Sequence, residues 1–141
     1  MTRVLVVDDD TAVLALLDAV LKHSRYEVVL AEDGRVALDK LDASIDVLLC
    51  DKNLPLVVGT QVVIEARSRF PQLTTVLMTA APEALALSQL GLDGYLAKPF
   101  RSNALVVHTI ESARQRRKAS LERAELEMQL AATRSELEKR R

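Results

Sequence analysis

The sequence predicts an α/β fold, a doubly wound parallel sheet of five strands with helices on both of its faces. Short apolar runs of strand length alternate with amphipathic stretches of helical period. Most of these runs are continuous instead of alternating with polar residues, as in strands covered on both faces of a parallel sheet. Five such units follow one another, the regular strand–helix order of an α/β sandwich.

The elements follow in order. The apolar runs are Val4–Val7, Val28–Ala31, Val47–Cys50, Val76–Met78 and Tyr95–Ala97. After the first run, Val13, Leu16, Leu17 and Val20 share one helical face. The second helix is expected over about Gly34 to Leu41, with Val36, Ala37 and Leu41 apolar, and the third over Thr60–Arg69, with Val62, Val63 and Ala66 turned inward. A short fourth helix is expected over Glu83–Leu90, with Pro82 suited to its first turn and Gly91 to its end. The fifth should begin near Ser102 and then fail to stop, because residues 102–141 contain neither glycine nor proline and are rich in helix-forming Ala, Leu, Glu, Arg, Lys and Gln. A partial three-four pattern runs through Leu126, Leu130, Thr133 and Leu137, and Arg123 and Arg140 fall on the next seam positions. A polar helix of this length needs a partner. A parallel dimeric coiled coil and a linker to a further domain are the two expectations.

The 141 residues suit one domain with an appendage, and an apolar fraction of 49% is enough for a buried core. The formal net charge of −1 conceals a division. Residues 1–100 hold 9 basic and 14 acidic residues, and residues 101–141 hold 10 and 6, so an acidic domain precedes a basic segment. The basic run Arg114–Lys118 lacks an aromatic or reading-helix pattern and is expected to be a solvated helix face, so nucleic-acid binding is not indicated. The lone Cys50 cannot form an internal disulfide and is expected to be a buried, inert thiol. No apolar run is long enough for a membrane helix and the first residues do not resemble a signal peptide. A cytoplasmic protein is expected.

In an open α/β sheet, chemistry sits at the carboxyl ends of the strands. There the first strand leads into Asp8, Asp9 and Asp10, the third into Asp51, the fourth into Thr79, and the fifth into Lys98 and Pro99. Crowded carboxylates repel unless a cation lies among them, and oxygen ligands without His or Cys suit Mg2+. A carboxylate can act as a nucleophile toward phosphorus. A lysine can pair with phosphoryl oxygens as a point charge, and a threonine hydroxyl can donate to them. Asp10 is expected to cap the first helix. His23 and His108 are expected to be structural or solvated.

Four ordered motifs resemble the CheY-like receiver domain of two-component response regulators. They are Val4-Leu5-Val6-Val7-Asp8-Asp9-Asp10, then Asp51-Lys52-Asn53-Leu54-Pro55 followed by Gly59, then Thr79-Ala80, and finally Gly94-Tyr95-Leu96-Ala97-Lys98-Pro99-Phe100. The resemblance covers residue 3 to about residue 117 and implies a flavodoxin-like sheet of order 2-1-3-4-5. It divides the chain into a receiver domain over 1–117 and a helical extension over 118–141. It implies that Asp51 accepts a phosphoryl group from a sensor histidine kinase in a Mg2+-dependent reaction. Asp9, Asp8, Asp51 and the backbone carbonyl of Asn53 would be metal ligands, and Thr79 and Lys98 would contact the phosphoryl group. The small Ala80 would keep that group accessible, and Tyr95 would change rotamer on activation. The peptide between Lys98 and Pro99 would be cis. Such a protein is a switch and not a metabolic enzyme, limited to self-phosphorylation and self-dephosphorylation.

Two departures from the family pattern are visible. The spacing from Thr79 to Lys98 is about one helical turn short, a loss that falls in the fourth helix. Leu56, Val57 and Val58 are apolar where the family usually has a polar or acidic residue before the glycine, so this loop is either a contact surface or ordinary packing. A phosphorylation-independent dimerising scaffold is an alternative reading. An aspartate-nucleophile phosphatase of the haloacid-dehalogenase kind is a weaker one, because it needs a second acid where Asn53 stands. The last residues, Glu138 to Arg141, lie inside the expected helix, which suggests a piece of something longer with an effector domain of unknown kind.

Overall fold

The structure is a computed structural model and describes residues 1–81 and 91–140. Its strands are β1 (Arg3–Val7), β2 (Glu27–Ala31), β3 (Val47–Asp51), β4 (Thr74–Thr79) and β5 (Gly94–Ala97), and its described helices are α1 (Thr11–His23), α2 (Gly34–Lys40), α3 (Gly59–Arg69) and the long C-terminal α4 (Asn103–Lys139). All neighbouring strands run parallel, in the order β2-β1-β3-β4-β5. The helix expected over Glu83–Leu90, and with it the shortening, lies outside the described residues.

The continuous apolar runs form two cores because successive side chains leave opposite faces of a strand. Val4, Val6, Val47, Leu49, Val76, Met78 and Leu96 face α1 and α4, where they meet Leu17, Leu21, Val106 and Ile110. Leu5, Val7, Leu48, Cys50 and Leu77 face α2 and α3, where they meet Ala37, Val62, Val63 and Ala66. Fully burying one such Leu or Val stabilises the fold by about 1.5–3 kcal/mol. The buried stripe of α1 is rotated from the expected face, keeping Leu17 and Val20 but leaving Val13 half-buried. It comprises Leu14, Leu17, Val20 and Leu21, and Leu16 is exposed. Thirteen residues admit two overlapping apolar stripes, and packing against the sheet selects the one that includes Leu14.

Local chemistry sets the helix ends. Asp10 caps α1 by accepting from the Ala12 amide, Asp33 caps α2 by accepting from Val36, and Ser102 caps α4 by accepting from Leu105. Gly91 has φ 70°, a left-handed conformation that glycine adopts without steric cost. At Gly59 no larger residue fits, since a Cβ there would lie 2.0 Å from the Asp51 carbonyl oxygen.

The long helix changes character along its length. Val106, Ile110 and Ala113 are buried against the sheet. Around them Arg114 donates to the Thr2 hydroxyl, Arg116 donates to the Asp93 carbonyl, and the Tyr26 hydroxyl donates to Glu111. From Glu122 to Arg140 every residue is exposed.

Candidate functional site

The carboxyl edge of the sheet gathers residues far apart in sequence. Asp8 follows β1 directly, and its amide donates to the Ala31 carbonyl at 3.1 Å, which holds it between β1 and β2. Its carboxylate is fully buried. One oxygen accepts from the Asp10 amide at 2.9 Å and the other from the Lys98 ammonium at 2.6 Å. Asp51, also buried, ends β3 in register with Met78. Its Oδ1 lies 3.2 Å from Lys98 Nζ. Asp9 is exposed at the rim. Asp8, Asp9 and Asp51 each present a carboxylate oxygen, and these oxygens lie within 4.8 Å of one another.

The electrostatics follow from this crowding. Burial pushes the Asp51 carboxyl above the ordinary aspartate value; Lys98 opposes the shift, and the Asp8 and then Asp9 charges add to it. For Lys98, burial pulls the pKa down, but the hydrogen bond to Asp8 and the Asp51 and Asp8 charges outweigh it and raise it. Lys98 is therefore a firmly charged ammonium between two buried carboxylates. The thiol of Cys50, next in the chain to Asp51, is pushed up by burial, with the Asp51 and Asp8 charges adding to it, and stays protonated.

Thr79 ends β4 with its hydroxyl buried, accepting from the Ala81 amide at 3.1 Å. Its carbonyl accepts from the Lys98 amide at 2.9 Å, which ties the β4 end to the lysine turn. The Lys98–Pro99 peptide is cis. Ala80 is exposed, and so is the Tyr95 ring, since β5 alternates buried Gly94 and Leu96 with exposed Tyr95 and Ala97. Asn53 is exposed in the loop after Asp51. The bond from Lys52 N–H to the Met78 carbonyl and that from Gly59 N–H to the Lys52 carbonyl, both 2.9 Å, clamp this loop. Of its apolar residues, Leu54 is buried in the core and Val57 packs against it, while Leu56 is 77% and Val58 54% exposed. Leu56 has φ 69°, strained for a branched residue. His23 and His108 are exposed, and neither belongs to the carboxylate cluster.

One supporting cluster escaped the sequence reading. Buried Asp93 accepts from the Thr75 amide and from Arg67, both at 2.8 Å, and Arg67 also reaches the Thr75 hydroxyl at 2.8 Å. It pins the segment entering β5, and so the approach of Lys98. An acid beside Leu92 and Gly94 carries no periodic signal, and only the fold brings Arg67 to it.

The comparisons agree with this geometry. Residues 4–110 match the profile of the response regulator receiver domain. The chain is 38% identical over 109 residues to the transcriptional regulatory protein CpxR of Escherichia coli (strain K12), covering 75% of this chain and 47% of that protein. It is 38% identical over 108 residues to the response regulator MprA of Mycolicibacterium vanbaalenii, covering 74% and 47%. The chain thus spans about half the length of these curated relatives. Among solved structures, the chemotaxis protein CheY4 of Vibrio cholerae aligns with TM-score 0.74 and 31% identity over 80% of this chain and 98% of that one. The response regulator protein TrrA of Thermotoga maritima, in complex with Mg2+-BeF, aligns with TM-score 0.70 and 31% identity over 79% and 99%. With its parallel order, its acidic edge and this profile match, the chain belongs to the response regulator receiver domain family.

Proposed function

We propose that this chain is a phosphorylation-dependent signalling switch in which Asp51 accepts a phosphoryl group from a sensor histidine kinase. The observation that carries the reading is the placement of the buried Asp51 carboxylate within 4.8 Å of Asp8 and Asp9 and 3.2 Å from Lys98 Nζ. The donor set is all hard oxygen, which fits Mg2+, and Asp8, Asp9, Asp51 and the backbone carbonyl of Asn53 would hold it. When bound, Mg2+ supplies counter-charge for the phosphoryl oxygens.

The side chains divide the remaining work. An Asp51 oxygen attacks phosphorus, the new O–P bond forms as the bond to the donor breaks, and the product is an aspartyl phosphate. Lys98, already charged and held by Asp8, pairs with a phosphoryl oxygen. Thr79 releases the Ala81 amide and turns its hydroxyl to another, and Tyr95 changes rotamer with it. Exposed Ala80 leaves the group open to water. Residues 1–117 act as the receiver and 118–141 as a helical extension that carries the signal outward. The kinase reading implies a cytoplasmic location, and among the described residues no helix is long and apolar enough to cross a membrane. The exposed leucines of the extension support a homodimer through the C-terminal helix.

Incubation with Mg2+ and acetyl phosphate, followed by intact mass measurement, tests the reading. One added phosphoryl group is expected on the wild type and none on Asp51→Ala. A wild type that gains no adduct from several small donors favours the phosphorylation-independent scaffold. Turnover of phosphate monoesters favours the phosphatase.

A further inference from the structure

The outer part of α4 carries an unpartnered apolar stripe. Leu126, Leu130 and Leu137 are 63%, 54% and 57% exposed, and Thr133 is exposed among them. Their spacing of four, three and four residues keeps them on one face over about 17 Å of helix. Thr133 donates its hydroxyl to the Gln129 carbonyl at 3.0 Å, so it can join this stripe without an unsatisfied polar group. Arg123 and Arg140 occupy the seam positions just beyond either end. The stripe begins past Leu121, the last half-buried residue of the helix, so a second helix can lie along it without meeting the domain.

Charge beside the seam distinguishes the two ways in which a second copy could lie there. In a parallel pair, Glu122 of each helix faces Glu127 of the other, a like-charge contact made twice that offsets the matching spacing of Glu136 with Arg141, and the seam sets Arg123 on Arg123 and Arg140 on Arg140. In an antiparallel pair, Leu126 packs on Leu137 and Leu130 on Thr133, each layer occurring twice. Glu127 of each helix then lies beside Arg134 of the other, an opposite-charge contact made twice. Gln129 faces Glu136 on the other side without conflict, and each Arg123 meets Arg140 at the outer limit of the apolar stretch, so the seam arginines weigh equally in both orientations and the flanking charges decide. Like charges across a helix pair are destabilising and opposite charges set its orientation.

We infer that the stripe Leu126–Leu130–Thr133–Leu137 docks a second copy of this chain in antiparallel orientation, with Glu127 paired to Arg134 across the seam. The inference rests on the homodimer proposed above and adds its direction. The two domains then lie at opposite ends of the helix pair instead of side by side.

Sedimentation of the 141-residue chain over a concentration series extending to the millimolar range tests it, with Glu127→Arg and Glu127→Arg/Arg134→Glu as variants. Both positions are exposed and distant from the acidic edge, so acetyl phosphate labelling of Asp51 and helix content by circular dichroism serve as controls for folding. The antiparallel pair predicts a dimer that Glu127→Arg weakens about tenfold, since two attractions become two repulsions. The double swap should restore it, although it sacrifices the same-helix spacings of Arg123 with Glu127 and Arg134 with Glu138. A parallel pair predicts the opposite sign, because the introduced arginine would then face Glu122 of the other helix. Tighter association of Glu127→Arg, or no change, overturns the orientation and leaves the dimer standing. A wild type that stays monomeric throughout overturns the dimer and the orientation together.

Discussion

The carboxyl edge of the sheet and the outer half of α4 are defined in opposite ways. At the edge, Asp8 and Lys98 are each held by several unrelated constraints. Asp8 is fixed by the Ala31 carbonyl, the Asp10 amide and Lys98, and Lys98 by Asp8, Asp51 and the Thr79 carbonyl. From Glu122 onward, the described residues make no side-chain hydrogen bond or ion pair beyond their own helix, and all are exposed. That half is helical because its residues favour helix, whereas the edge is ordered because burial leaves its groups no alternative. The first region is held within one chain, and the second leaves its leucine face uncovered among the described residues.

Paired truncations probe that contrast most strongly. Leu49→Ala, in the core between β3 and α1, should cost about 2–5 kcal/mol in urea unfolding, while Leu130→Ala at low protein concentration should stay within about 0.5 kcal/mol of wild type. A comparable loss at Leu130 would mean that the outer helix folds back on the domain. Lys98→Ala comes next. It leaves the buried Asp8 carboxylate without its cation, so a loss of about 1–3 kcal/mol is expected, together with slower acetyl phosphate labelling. Unchanged stability would mean that Asp8 finds another partner.

The smallest effect concerns Asp51 and pH. Its folded pKa is raised, chiefly by burial. The neutral carboxyl is therefore the form that the fold favours. Its contribution to stability is full below the unfolded aspartate value and is lost as pH rises through the folded value. Asp51→Asn should melt a few degrees higher than wild type at neutral pH with chelator present, and the gap should close in acid. Adding Mg2+ should narrow the neutral gap by stabilising the wild type alone. A gap that persists in acid would place the effect in packing and not in charge.

The site residues stood out in the sequence because each follows a recognisable strand, and a parallel sheet brings all strand carboxyl ends to one edge. That logic reached Asp8, Asp9, Asp51, Thr79 and Lys98 without any knowledge of distances. It did not reach Asp93 and Arg67, whose meeting depends on how α3 lies beside β4 and β5. It placed Leu16 on the buried face of α1, since hydrophobicity marks two neighbouring stripes and only contact with the sheet separates them. It also left open whether Leu56 and Val58 pack inward, and the structure turns both outward.

The amino-acid sequence by itself determined the order of the described elements, the cap at Asp10, the start of the last helix near Ser102 and the persistence of that helix, because these depend on local propensity and period. Only the tertiary structure decided which carboxylate is buried, that Lys98 is shared between Asp8 and Asp51, and that the leucines of the outer helix remain uncovered. Those are matters of distance and solvent exclusion between residues far apart in the chain, and no local pattern encodes them.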